Sequence, residues 1–519
     1  METKRDLEAK AKSLINTNPE EAISIYRNIW DGYPELFNEW DAFFLIKAMR
    51  ASKTPDLNWA NEVVIMHNND RVGNLYGWLI FDRCVKGKSK NVLIENENFI
   101  SKLTTLSPQK NLKENDEFPC PTTISIFKLC DAHAENLFNA RKINELLFGL
   151  DYKKLSDKSK TIGTVERGDV ELSSDLEKYF AFKTKALLKI GDYIDCKSYC
   201  SRGLELLSKF HYNNDLWFKM RIALAEDKLG NHTISENLFK ELLSSKAGND
   251  KWFLYRDIAE VYFEQKDFLK AWKYAIDGSF YGNEPHFLIG LYLLQARILF
   301  KLERPLDGKI LAELIATILK EQQWSDKAEY NKLFQFYSID RTALRQLNNV
   351  LIEARKFWQN ERYGNKSKVK GTIISIHQNG KVGRIKEIQG SIINFHKKNL
   401  NLKLKTIESL NGSEVEFFIM DSIDGKKNAE NITITKPCLT PKINDLVGKS
   451  FEGTVKNVAD FGIFFFLKDA PNGLLHRNSL PDNLKNNFRD FFLQGKVVKV
   501  KVEKVTEKGI QLLLGQNVV

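Results

Sequence analysis

The chain has 519 residues, 43% apolar and 28% charged, ordinary proportions for a globular protein and too long for one typical domain, so three or four are expected. No run of 18 apolar residues occurs and the N-terminal Met-Glu-Thr-Lys-Arg-Asp-Leu-Glu is charged, so neither a membrane span nor export is expected. The net charge of +11 is uneven: residues 361–519 carry 26 Lys and Arg against 16 Asp and Glu, a net of +10, leaving 52 against 51 for residues 1–360.

That asymmetry is expected of a polyanion-binding module joined to a near-neutral partner region. Six cysteines (84, 120, 130, 196, 200 and 438) are scattered along the chain. Cys196 and Cys200 are four apart on an expected helix, but no second pair or nearby histidine completes a zinc site. All six read as free thiols of a reducing cytosol, which predicts a cytoplasmic protein with no metal and no cofactor.

Residues 1 to about 360 read as helical. Asn18-Pro-Glu-Glu-Ala-Ile is a helix start: Asn18 can cap, Pro19 suits the first turn, and Glu20 and Glu21 complement the positive end of the helix dipole. The following helix places Ala22, Ile25, Tyr26 and Ile29 on one face and stops at Gly32-Tyr-Pro34. Lys86-Gly-Lys-Ser-Lys90 lacks the upstream glycine and flanking strand of a phosphate loop and reads as an ordinary loop. Asn111 to Pro121 and Lys158 to Asp169 read as polar breaks.

A repeat emerges after residue 170. Asp192, Asn231, Asp267 and Arg304 each follow an amphipathic segment, at steps of 39, 36 and 37 residues. Each step holds two helices and two short turns, the length of a helix-turn-helix solenoid unit that buries its apolar face by stacking on neighbours. Ala186, Ala225 and Ala259 sit where helices approach closely. The turn chemistry of Ala186-Leu-Leu-Lys-Ile-Gly-Asp-Tyr193 and Asp267-Phe-Leu-Lys-Ala-Trp272 resembles tetratricopeptide repeats, though the units run longer and residues 1–170 match only weakly. The resemblance implies a protein partner docked on the solenoid.

From Ser367 the period changes from helical to alternating. Val369–Ile376, Gly380–Ile385, Ser391–His396, Ser413–Ile419 and Asn428–Ile434 predict a five-stranded barrel over 367–436. It resembles the cold-shock domain. Lys381, Gly383 and Ile385 keep part of that family's first motif and Phe395-His396-Lys397 part of its second, while Val382, Arg384 and Asn394 stand where rings are usual. The resemblance implies backbone contacts through Lys381, Arg384, Phe395, His396 and Lys397 with weakened base stacking. A spacer without nucleic-acid contact is the other reading.

The last 75 residues hold a second barrel, over 445–517. A strand from Gly448, an Asp460-Phe-Gly turn, Ile463–Leu467, Gly473-Leu-Leu-His476, Val497–Val505 and Gly509–Leu514 supply the five strands of an OB-type fold. Phe461 and Phe464 are three apart and would face opposite sides of a regular strand. A kink or bulge at Gly462 would turn both outward. With His476 they would form a stacking platform for bases, with Lys449, Lys456, Lys468 and Arg477 near enough in sequence to hold phosphates. The alternative is that the rings fill the barrel core.

Gly453, Val455, Val458, Phe461, Gly462, Phe464, Gly473, Leu474 and His476 resemble the S1 RNA-binding domain position for position. Lys508-Gly-Ile510 replaces the Gly-Arg-Ile frequent in that family, so Lys508 is the substitute for its basic contact. No nucleophile elbow, metal cluster, Walker loop or dinucleotide fingerprint is present, and a non-enzyme is expected.

The expected architecture is therefore multidomain, α then β: helical residues 1–170, tetratricopeptide-like repeats over 171–362, and two five-stranded OB-type barrels. The domain order resembles the helical-repeat and S1/cold-shock components of bacterial TOTE-type conflict systems, which implies helicase, nuclease or primase-like neighbours. The functional expectation is an adaptor that binds RNA or single-stranded DNA and docks a protein. The alternative is a protein–protein scaffold whose barrels no longer bind nucleic acid.

Overall fold

The computed structural model describes residues 3–114, 119–135, 137–164, 168–282, 284–377, 381–401, 410–422, 425–436, 446–467, 470–506 and 509–515. The chain divides into two compact units, Met1–Arg362 and Tyr363–Val519.

The first unit is helical for local reasons. Asn18 accepts a hydrogen bond from the Glu21 amide and caps the helix Pro19–Gly32, whose buried face is Ala22, Ile25, Tyr26 and Ile29. The segment from Lys158, expected as a polar break between helices, carries two strands. Its Thr161-Ile162-Gly163-Thr164 and Gly168-Asp169-Val170-Glu171 form an antiparallel hairpin, β1 (Lys160–Thr164) with β2 (Gly168–Leu172). The β-branched Thr161, Ile162, Thr164 and Val170 favour a strand there.

From residue 175 the helices pair: Asp175–Ile190 with Tyr193–Leu206, Asp215–Lys228 with His232–Ser244, Trp252–Glu264 with Phe268–Gly278, and Ile289–Lys301 with Lys309–Glu321. One backbone device ends the first helix of each pair. Gly191, Gly230, Lys266 or Glu303 takes a positive φ. The next amide then reaches back five residues, from Asp192 to Leu187, Asn231 to Glu226, Asp267 to Tyr262 and Arg304 to Leu299, at 2.9–3.0 Å. This is the Schellman termination, which satisfies carbonyls the helix end leaves unpaired. Asp192 and Asp267 then cap the second helix through the Asp195 and Lys270 amides. Ala186, Ala225 and Ala259 are fully buried.

The second unit holds two closed five-stranded barrels. The first is built from β3 (Val369–Ile376), β4 (Val382–Glu387), β5 (Ile392–His396), β6 (Glu414–Asp421) and β7 (Lys427–Lys436). The second is built from β8 (Ser450–Ala459), β9 (Gly462–Leu467), β10 (Gly473–His476), β11 (Val497–Thr506) and β12 (Gly509–Leu514). Their topologies are identical. Three strands form a meander, the third pairs in parallel with the fifth, and the fourth closes the ring between fifth and first. That is the OB-type barrel.

Candidate nucleic-acid interface

Strand β9 positions the site. Ile463, Phe465 and Leu467 are buried, while Phe464 is half-buried and Phe466 exposed, the period of two that a strand imposes. Phe465 meets Phe492 edge-on at 6.1 Å inside the barrel. On the outer face Phe464 stands opposite Leu474 of β10, and Gly462 opposite His476.

The offset between Phe461 and Phe464 is resolved by the chain reversal, and Gly462 makes no kink. Ala459 pairs with Gly462 across a two-residue turn of Asp460 and Phe461, so Phe461 lies outside the strand and is free of its alternation. Its ring meets that of Phe464 edge-on at 5.8 Å and is 51% exposed. The bulge lies instead in β8, between Val455 and Asn457, where Lys456 is the extra, exposed residue. Gly462 is needed for close approach: a Cβ there would meet the Leu475 carbonyl oxygen at 2.5 Å.

Five contacts brace this corner. The Arg477 amide donates to the Phe461 carbonyl at 2.9 Å, joining the end of β10 to the turn. Arg489 pairs with Asp460. The Arg477 guanidinium donates through Nε to the Lys485 carbonyl at 2.9 Å and lies over the Phe488 ring, and among the described residues its Nη atoms have no hydrogen-bond acceptor. His476 Nδ1 accepts from the Asn478 amide at 3.2 Å, which puts the ring proton on Nε2.

Phe461, Phe464, His476, Lys456 and Arg477 are thus brought to one corner of the barrel. Lys449 is not: it precedes β8 at the end away from the turn, roughly 30 Å along that strand. Lys468 and Lys508 lie outside the described residues. Three exposed groups escaped the sequence reading. Phe466 was hidden in a run of three phenylalanines. Lys499 and Lys501 alternate with buried Val498 and Val500 on β11, a pattern that marks them as outward-facing.

In the first barrel Lys381, Arg384, His396 and Lys397 are exposed. Val382 pairs with His396 and Arg384 with Asn394, and the Lys397 amide donates to the Lys381 carbonyl at 2.8 Å. Phe395 corrects the expectation of a nucleic-acid contact. It is 2% exposed, and its ring lies over Gly383, where a Cβ would sit 2.5 Å from it. Register places Phe395 on the inner face, so it is core and unable to stack on a base.

Among the described residues no group of three His, Cys, Asp or Glu is placed to hold a metal ion, and no helix is long and apolar enough to cross a membrane. Cys84, Cys120, Cys130, Cys196 and Cys200 are buried free thiols, and Cys438 lies outside the described residues.

Residues 445–515 match the S1 RNA binding domain, so the second barrel is an S1 domain. Over 63 residues the chain is 38% identical to polyribonucleotide nucleotidyltransferases of Psychrobacter cryohalolentis and Psychrobacter arcticus, a match covering 12% of this chain and 9% of each enzyme. A crystal structure of a multidomain protein with nucleic acid binding domains from Streptococcus pneumoniae matches at 12% identity and a TM-score of 0.12, covering 30% of this chain and 52% of that one.

Proposed function

We propose that this protein is a non-catalytic adaptor that binds RNA or single-stranded nucleic acid through its S1 barrel and docks a partner protein on its helical repeats. The observation that carries the reading is the corner at the start of β9, where the exposed Phe461 and half-buried Phe464 stand beside His476 and the cations Lys456 and Arg477. Flat rings beside cations take unpaired bases and their phosphates together, whereas paired bases hide their faces.

Partner docking rests on the stacked helix pairs, an architecture that presents extended surfaces to other proteins. The first barrel is proposed to add backbone contacts through Lys381, Arg384, His396 and Lys397. A bacterial conflict system with helicase, nuclease or primase-like neighbours is the proposed setting, on domain order.

The test is binding of labelled single-stranded RNA and DNA to the wild type and to a Phe461→Ala/Phe464→Ala variant, with thermal unfolding alongside. The expected outcome is a tenfold or larger loss in a variant that stays folded, since a stacked base contributes about 1–3 kcal/mol. Absence of salt-dependent binding by the wild type would leave the scaffold reading in its place.

A further inference from the structure

Phe466 is unexplained by either the barrel core or the corner just described. It is 54% exposed. It lies two residues beyond Phe464 on β9 and therefore on the same outer face, about 7 Å further along. Thr454 is opposite it on β8, and beyond Thr454 stands Val497 of β11, 58% exposed. On its other side β10 begins only opposite Phe465, so no strand residue flanks Phe466 there.

We infer that Phe466 is a third base-stacking site, so that a single strand runs along β9 from the Phe461–His476 corner toward Thr454. The inference rests on the proposed nucleic-acid reading and extends it. Two features select an unpaired base as the occupant. The ring continues the file begun by Phe461 and Phe464, and further along the same direction the outer face of β11 carries the exposed cations Lys499, opposite Glu452, and Lys501, opposite Ser450. The spacing has a consequence for the ligand. Successive bases in a stacked strand are about 3.4 Å apart, half the strand spacing of Phe464 and Phe466, so when each ring takes its own base the two bases are unstacked from one another. Strands whose bases stack weakly on themselves, such as oligouridylate, should bind better than oligoadenylate, which must first be pulled apart.

The experiment uses the full chain with labelled oligouridylates and oligoadenylates in a length series. Proteins compared are the wild type, Phe466→Ser, Phe466→Tyr and Phe461→Ala/Phe464→Ala, with unfolding curves and sedimentation for each. Phe466→Ser is expected to weaken long oligouridylates about five- to tenfold, the low end for one stacked base. It should leave the shortest strands, which reach only the corner, unchanged, and shrink the preference for uridine. Phe466→Tyr should restore both.

If Phe466→Ser binds every length as the wild type does while the double variant is weak, the third site is wrong and the corner stands. If the double variant binds like the wild type, the underlying reading fails as well. A wild-type dimer that Phe466→Ser dissociates without changing oligonucleotide affinity would assign the ring to a second copy of the chain and overturn the inference.

Discussion

Three consecutive phenylalanines divide according to their strand positions. Phe465 fills the core, Phe464 is half-buried beside the corner, and Phe466 projects from the outer face. Phe465→Ala should therefore cost about 3–5 kcal/mol, the usual penalty for emptying a buried aromatic site, read as a large fall in the unfolding midpoint of the S1 barrel. Phe464→Ala should cost within about 1 kcal/mol of stability yet weaken oligonucleotide binding. Equal destabilisation by the two would place Phe464 in the core after all. Gly462→Ala is expected to damage both properties, because its Cβ meets the Leu475 carbonyl and crowds the His476 backbone, neither of which is a flexible side-chain end. At this scale the sequence was partly legible. The motif glycines and rings marked Phe461, Phe464 and His476. Phe466 was lost in the apolar run, and Phe395 was misplaced because a motif match does not specify which face a strand residue takes, whereas pairing with Gly383 does.

Among elements, the helix breaks were legible because they are made of local chemistry. Each needs one residue in the left-handed region, and Gly191 and Gly230 supply it without a Cβ penalty. Lys266 and Glu303 adopt the same conformation at a cost of about 1 kcal/mol. Gly191→Ala should lower stability by about that amount, and Lys266→Gly or Glu303→Gly should raise it by up to as much, measured by urea unfolding. A loss on placing glycine at 266 would show that its side chain holds the turn. Two further breaks, at Gln323 and Ser338, use the same device but fall outside the 36–39-residue spacing that exposed the other four. The closing helix Leu347–Tyr363 is held by Glu361, which accepts from both Arg304 Nη atoms at 2.9 and 2.7 Å and from Trp272 Nε1 at 2.7 Å, a contact between distant segments that no local pattern announces. The Arg304 hydrogen bonds hold the Glu361 carboxyl below its ordinary value of 4.5. A depressed folded pKa stabilises fully above the unfolded value, and that stability is lost as pH falls through the folded one. Glu361→Gln should thus cost about 1–2 kcal/mol at neutral pH, after discounting for partial exposure. The gap from wild type should narrow on acidification below about 4.5, and a gap independent of pH would locate the effect elsewhere.

Across the whole molecule, charge separates two kinds of work. Residues 361–519 carry a net of +10, and residues 1–360 are close to neutral, so attraction for a polyanion is concentrated in the barrels, and in the proposed reading the helical region takes the less charged partner. Ionic strength distinguishes the two. A cation on a single-strand phosphate releases condensed counterions and adds about 0.7 to the slope of log affinity against log salt. If Lys456 and Arg477 each hold a phosphate, the wild-type slope should be about −1.4, steepening to about −3 only if the strand continues past Thr454 to Lys499 and Lys501, which stand opposite Glu452 and Ser450. Lys456→Gln should make it shallower by about 0.7 at every ionic strength. Lys449→Gln, at the far end of β8, should leave it unchanged unless the strand continues past Thr454. Arg477→Gln tests less cleanly, because that guanidinium also braces Lys485 and Phe488, and its slope is meaningful only if the unfolding midpoint is kept. The stacking variants give the opposite pattern. Removing Phe464 or Phe466 should lower affinity by a constant factor across the salt series, because a ring binds a base without displacing ions. A Lys456→Gln variant whose affinity falls by the same factor at all salt concentrations would mean that this lysine supports the bulge in β8 rather than a phosphate, and the positive corner would have to be rebuilt around Arg477.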